Sequence, residues 1–195
     1  PTLRHLDLSN NSMSSLVYKY TFRSMKQNKC LESINLFNSS VHNDVFRELN
    51  DLLLHNKSFS EINFNFAKLG SDGIRSYLDT LCHATSIKSV KIANNTLKYP
   101  ALVALSYYFS KSPKPKLEEL DLSYCNISVR ELQLMMNNMP QWTFWRKKRD
   151  LYPHIHKLVL GGNHINGRNS IESFEIMVTR IQNLYALDLH KNKLT

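Results

Sequence analysis

The sequence is short of the residues that mark several common protein classes, and each shortage excludes something. Three cysteines, Cys30, Cys82 and Cys125, are a sparse and odd set for 195 residues. They exclude a disulfide-stapled scaffold and point to a reducing compartment. Five glycines and six prolines are too few for a collagen-like or low-complexity chain. No apolar run approaches the ~20 residues of a membrane-spanning helix. No signal-peptide core follows Pro1-Thr2-Leu3-Arg4, so a cytoplasmic, intracellular protein is expected. Acidic residues are scarce too: 16 against 25 basic ones leave a net charge of +9, the first pointer to a partner.

What the chain does have is a repeat. The pattern L-x-x-L-x-L-x-x-N/C-x-L occurs seven times, starting at Leu3, Leu31, Phe59, Ile87, Leu117, Ile155 and Leu184. The first copy is LRHLDLSNNSM and the fifth LEELDLSYCNI. Successive starts are 28, 28, 28, 30, 38 and 29 residues apart. Seven copies in register leave no room for chance.

Each copy also switches period. Leu6-Asp7-Leu8, Ile34-Asn35-Leu36 and Val90-Lys91-Ile92 alternate apolar and polar, the signature of a strand with one buried face. Helical spacing follows, as in Phe46, Leu49, Leu52 and Leu53, in Ile74, Leu78 and Leu81, and in Leu132, Met135, Met136 and Met139. Ser128-x-x-Glu131 reads as a capping box, and Asp44 and Asp72 as first-turn acids. No single strand and helix can bury its own apolar side, so the units must stack.

These residues resemble the leucine-rich-repeat family, and the period with its Asn/Cys alternation is similar to the ribonuclease-inhibitor-like subclass. The resemblance covers essentially the whole chain. It implies an α/β solenoid, a horseshoe with a parallel concave sheet and convex helices. We read residues 1–195 as one domain of six repeats plus the strand of a seventh. Neither end carries a polar cap, so a segment of a longer chain is expected.

The template Asn has a task of its own. An amide both donates and accepts, so it can pair backbone groups that enter the interior after each strand. Cys125 is a compact substitute, read as structural and not as a reactive thiol. Ser39 reaches less far and Ala67 cannot hydrogen-bond by its side chain, so the ladder should weaken around the second and third repeats.

Signs of catalysis are missing. The chain has no phosphate-binding glycine loop, no HExxH and no G-x-S-x-G. His154-x-His156 has no Cys or carboxylate at ligand spacing. A non-enzyme with no cofactor and no metal is expected. Gly161-Gly162 should leave a dip in the concave surface. The sequons at Asn10, Asn38, Asn56, Asn94 and Asn126 either accept glycans or serve the repeat turn. The absence of a signal peptide favours the turn.

Two surfaces are candidates for binding. On the concave face, Asp7, Asn35, Asn63, Lys91, Asp121 and Asp188 point outward from the strands, with Phe37 and Tyr124 as aromatic anchors. Phe66 and Tyr185 are further candidates, unless Phe66 packs into its turn. The second surface is a rim. The 38-residue spacing adds about ten residues, a loop insertion at 141–154 that holds Trp142, Trp145, Arg146, Lys147, Lys148 and Arg149. Lys111, Lys114 and Lys116 occupy the equivalent loop one repeat earlier, and Lys26, Lys29 and Lys57 extend the line. A basic rim with aromatics fits a protein partner with an acidic surface, and also an anionic membrane or nucleic acid. Alternatively the aromatics extend the preceding helix and the charges are solvated. Similar repeats occur in cytoskeletal regulators, F-box receptors, innate sensors and Ran GTPase activators. The resemblance therefore implies a protein-binding scaffold, with a small-GTPase or actin-regulatory module as an alternative, and does not choose among them.

Overall fold

The computed structural model describes residues 2–110, 116–137, 154–181 and 183–194. Seven strands of three residues form one parallel sheet in sequence order. They are β1 (His5–Asp7), β2 (Ser33–Asn35), β3 (Glu61–Asn63), β4 (Ser89–Lys91), β5 (Glu119–Asp121), β6 (Lys157–Val159) and β7 (Ala186–Asp188). The register pairs like with like: His5 with Ser33, Ser33 with Glu61, and so on to Lys157 with Ala186. Between them run α1 (Ser15–Met25), α2 (Phe46–His55, entered by a 3-10 turn at Asn43–Val45), α3 (Ser71–Leu81), α4 (Tyr99–Ser110), α5 (Val129–Asn137) and α6 (Gly167–Arg180). Neighbouring helices pack side by side along the stack. The architecture is an α/β leucine-rich-repeat horseshoe.

The core lies between sheet and helices and follows the repeat. The middle residues of the inner strands, Ile34, Ile62, Val90, Leu120 and Leu158, are buried, as are Leu36, Phe64, Ile92, Leu122 and Leu160 two positions on. Phe46, Leu49, Leu52 and Leu53 of α2, and Ile74, Leu78 and Leu81 of α3, meet them from the other side. Met139 lies outside the described residues. Each such side chain contributes about 2 kcal/mol by leaving water, and none could do so within one repeat.

Helix starts follow their sequence signals. At α5 the Ser128 hydroxyl accepts from the Arg130 N–H at 3.2 Å, and Glu131 Oε2 accepts from the Ser128 N–H at 2.9 Å. Asp44 and Asp72 stand in first turns. α1 and its C-cap residue Lys26 are joined to the following 3-10 turn and α2 by three ion pairs, Lys19–Asp44 at 2.6 Å, Arg23–Glu48 at 2.7 Å and Lys26–Asp51 at 2.5 Å. The three pairs share one spacing: a basic residue at i, i+4 and i+7 meets an acid 25 residues further on. Lys26, expected on the basic rim, is therefore spent on Asp51.

The polar ladder runs as expected, with one refinement. Asn163 is its fullest rung. Its amide donates to the Leu122 and Leu160 carbonyls, both at 2.9 Å, and its oxygen accepts from the Cys125 and Ile127 N–H groups at 3.0 and 2.9 Å. Asn95 donates back to Phe64 O at 2.9 Å, and Asn192 to Leu160 O at 2.9 Å. The buried Cys125 thiol donates to Ile92 O at 3.3 Å, and burial pushes its pKa up to about 12. Ser39 does better than its length suggested, donating to Leu8 O at 2.9 Å. The missing rung is thus at Ala67, which has no polar side chain to offer.

A second ladder, not foreseen, runs through the helix-to-strand loops. Asn28 donates to Leu3 O and Asn56 to Asn28 O, each at 2.8 Å. Asn56 is fully buried, so in the folded chain its sequon is closed to a glycan.

Candidate functional site

Three rows of side chains pave the outer side of the sheet, two from the strands and one just beyond. Most of the outward Asp and Asn residues prove to have a structural task. Asp7, Asn35, Asn63, Asp121 and Asp188 each accept, through Oδ1, from the N–H two residues later, at 2.8 to 3.1 Å. They close the turn that ends each strand. The Ser9 hydroxyl, and then its N–H, hold the Asp7 carboxyl below its ordinary range, and the His190 N–H and ring do the same for Asp188. An Asp or Asn recurring at the fifth template position was the signal for this role.

Cross-strand pairs occupy much of what remains. Asn35 donates to Asp7 Oδ2 at 3.1 Å, Lys91 to Glu61 at 2.6 Å, Lys157 to Glu119 at 2.7 Å and Ser89 to Glu119 at 3.1 Å. Burial pushes the Glu119 carboxyl up, but Lys157 and Ser89 outweigh it and leave it below its usual value. Counted over the three rows, five carboxylates (Asp7, Glu61, Glu119, Asp121, Asp188) face two lysines (Lys91, Lys157). The sheet face is net acidic on a chain of net +9.

The strongest local feature is the row at the eighth template position. Every one of its residues is left-handed: Asn10, Asn38, Phe66, Asn94, Tyr124, Gly162 and Lys191, at φ between 51° and 65°. Asn and Gly tolerate that conformation, whereas bulky side chains occupy it at a cost. This explains the sequons at Asn10, Asn38 and Asn94, which carry the turn. It also singles out Phe66 and Tyr124, which hold strained backbone and remain 43% and 41% exposed.

Phe66 does not pack into its turn. Its ring lies 5.5 Å from the exposed ring of Phe37, centroid to centroid. Tyr124 sits 6.1 Å from His190, and Lys191 Nζ stands 5.8 Å over the tyrosine ring. Gly161-Gly162 is not the open dip that the sequence suggested. A Cβ on Gly161 would lie 2.2 Å from the His190 ring, and one on Gly162 would lie 2.3 Å from Tyr124. Rings from neighbouring repeats have filled the space that the two glycines release. His156 stacks on the exposed Tyr185 at 5.8 Å.

Of the rim residues, Lys116 is exposed. Lys111, Lys114, Trp142, Trp145, Arg146, Lys147, Lys148 and Arg149 lie outside the described residues. Lys29 and Lys57 turn back on their own loops, donating to Lys26 O at 3.3 Å and Leu54 O at 3.2 Å. Among the described residues no helix is long and apolar enough to cross a membrane.

A family model described as Leucine Rich repeat matches residues 1–15 and 114–130. Two curated relatives are similar, both called tubulin-specific chaperone cofactor E-like protein. The rat protein is 33% identical over 91 residues and the human one 35% over 92. Each match covers 41% of this chain and 21% of the relative, so the likeness reaches about a fifth of their length. Among solved structures, the tropomodulin C-terminal domain of Caenorhabditis elegans superposes with a TM-score of 0.54 at 15% identity. That match covers 70% of this chain and 82% of the other, a likeness of fold alone.

Proposed function

The chain is a leucine-rich-repeat protein, and we propose that it works as a non-enzymatic, intracellular scaffold that grips a protein partner on its concave face. One observation carries this reading. Phe37 and Phe66 form an exposed aromatic pair beside the polar strand rows, with Tyr124 two repeats further on. Exposed aromatics set in a polar surround are the usual anchors of protein interfaces. The ribonuclease-inhibitor-like period supports the same reading, since it stacks such rows into one continuous surface.

The name of the curated relatives makes tubulin the first partner to test, with actin and small GTPases beside it. Affinity capture with the wild-type chain should retain at least one of these proteins. The Phe37→Ser, Phe66→Ser double variant, at unchanged melting temperature, should lose it. Identical capture by both chains would show that the interface lies elsewhere. The run 146–149 offers one such place. Replacing Arg146, Lys147, Lys148 and Arg149 by serine, with salt titrations against heparin, RNA and anionic vesicles, tests a polyanion site there. Unchanged binding would remove that alternative.

A further inference from the structure

Resting on the scaffold reading, we infer that the β5–β7 part of the concave face seats an arginine or lysine side chain from a basic segment of the partner protein. Two carboxylates frame the place. Asp121 on β5 and Asp188 on β7 stand at matched register positions with Val159 of β6 between them. Two strand spacings put their backbones about 10 Å apart. A guanidinium that hydrogen-bonds on both sides bridges such a gap. Val159 is half-buried and gives the floor an apolar patch for the aliphatic stem.

The surroundings agree. Each aspartate spends Oδ1 on its own turn, accepting from the Ser123 and His190 N–H groups. Oδ2 of Asp121 has one long contact, from the Asn65 amide at 3.4 Å. Oδ2 of Asp188 accepts no hydrogen bond among the described residues. Lys157 is drawn toward Glu119 at 2.7 Å, and the His190 ring nitrogen stands 2.7 Å from the turn-closing Oδ1 of Asp188, which leaves Oδ2 to the groove. Tyr124 and His190 close one end, over the two glycines. Lys191 already stands over the tyrosine ring, which shows that this ring takes a cation. A chain of net +9 repels a basic segment at long range, so only a local acidic patch can hold one.

The probes are fluorescein-labelled hexa-arginine and hexa-glutamate peptides, used with the full chain in an anisotropy titration. Hexa-arginine should bind, more weakly as salt rises, and hexa-glutamate should not compete for the same place. Asp121→Asn with Asp188→Asn keeps both turn-closing oxygens and should weaken hexa-arginine at least tenfold at unchanged melting temperature. If that variant melts early, Val159→Lys, which puts a cation on the floor, should block the peptide to the same degree. Hexa-arginine binding that ignores both changes, or its absence in the wild type, overturns the inference. The scaffold reading falls separately, through the Phe37 and Phe66 variant, so each can fail without the other.

Discussion

Asn163 shows how much one side chain does in this fold. It is almost wholly buried and serves four backbone groups from two repeats. Asn163→Ala leaves those groups without partners, and each unpaired buried group is expensive. We expect a loss of about 3 kcal/mol, read as a lowered urea midpoint, and little change would mean that water takes over the rung. Phe66 works in the opposite sense. Its left-handed backbone costs about 1 kcal/mol, and its exposed contact with Phe37 returns about 0.5 kcal/mol. Phe66→Asn installs the residue that Asn10, Asn38 and Asn94 already show at this position. The variant should melt no earlier than wild type while losing partner affinity. A fall of several degrees would assign the ring to stability and not to binding.

The contact between α1 and α2 is sensitive to acid. Lys19 holds the Asp44 carboxyl below its ordinary pKa, and Lys26 does the same for Asp51. For Glu48 burial pushes upward, but Arg23 prevails and the carboxyl is again lowered. A carboxyl lowered on folding adds stability above its unfolded pKa and loses it as pH falls through the folded one. Stability should therefore be flat from about pH 7 to 5 and fall below about pH 4. Urea midpoints taken across that range check the sign, and a maximum at pH 3 would contradict it. The same device at α5 is local. Ser128 lowers the Glu131 carboxyl within one capping box.

Across the whole molecule, stability passes from repeat to repeat, because each core residue is buried by its neighbours' side chains. Leu122 is fully buried, and its N–H donates to Val159 O at 2.8 Å on the next strand. Leu122→Asp puts an unpaired charge there, and several repeats should unfold together, seen as joint loss of helix and strand signal in circular dichroism. A soluble, unaltered variant would contradict the register. That register was readable from the chain: motif starts 28, 28, 28, 30, 38 and 29 residues apart reappear as the pairings His5–Ser33 through Lys157–Ala186. Sheet order, strand faces and the Cys125 role followed with it, because an eleven-residue pattern decides which side chains face inward. Which outward groups are still available was not readable. Lys26 went to Asp51, and the space over Gly161 to His190 from the next repeat. Those outcomes depend on contacts 25 or more residues away and on a left-handed backbone at Phe66 and Tyr124, and only the stacked structure brings them together.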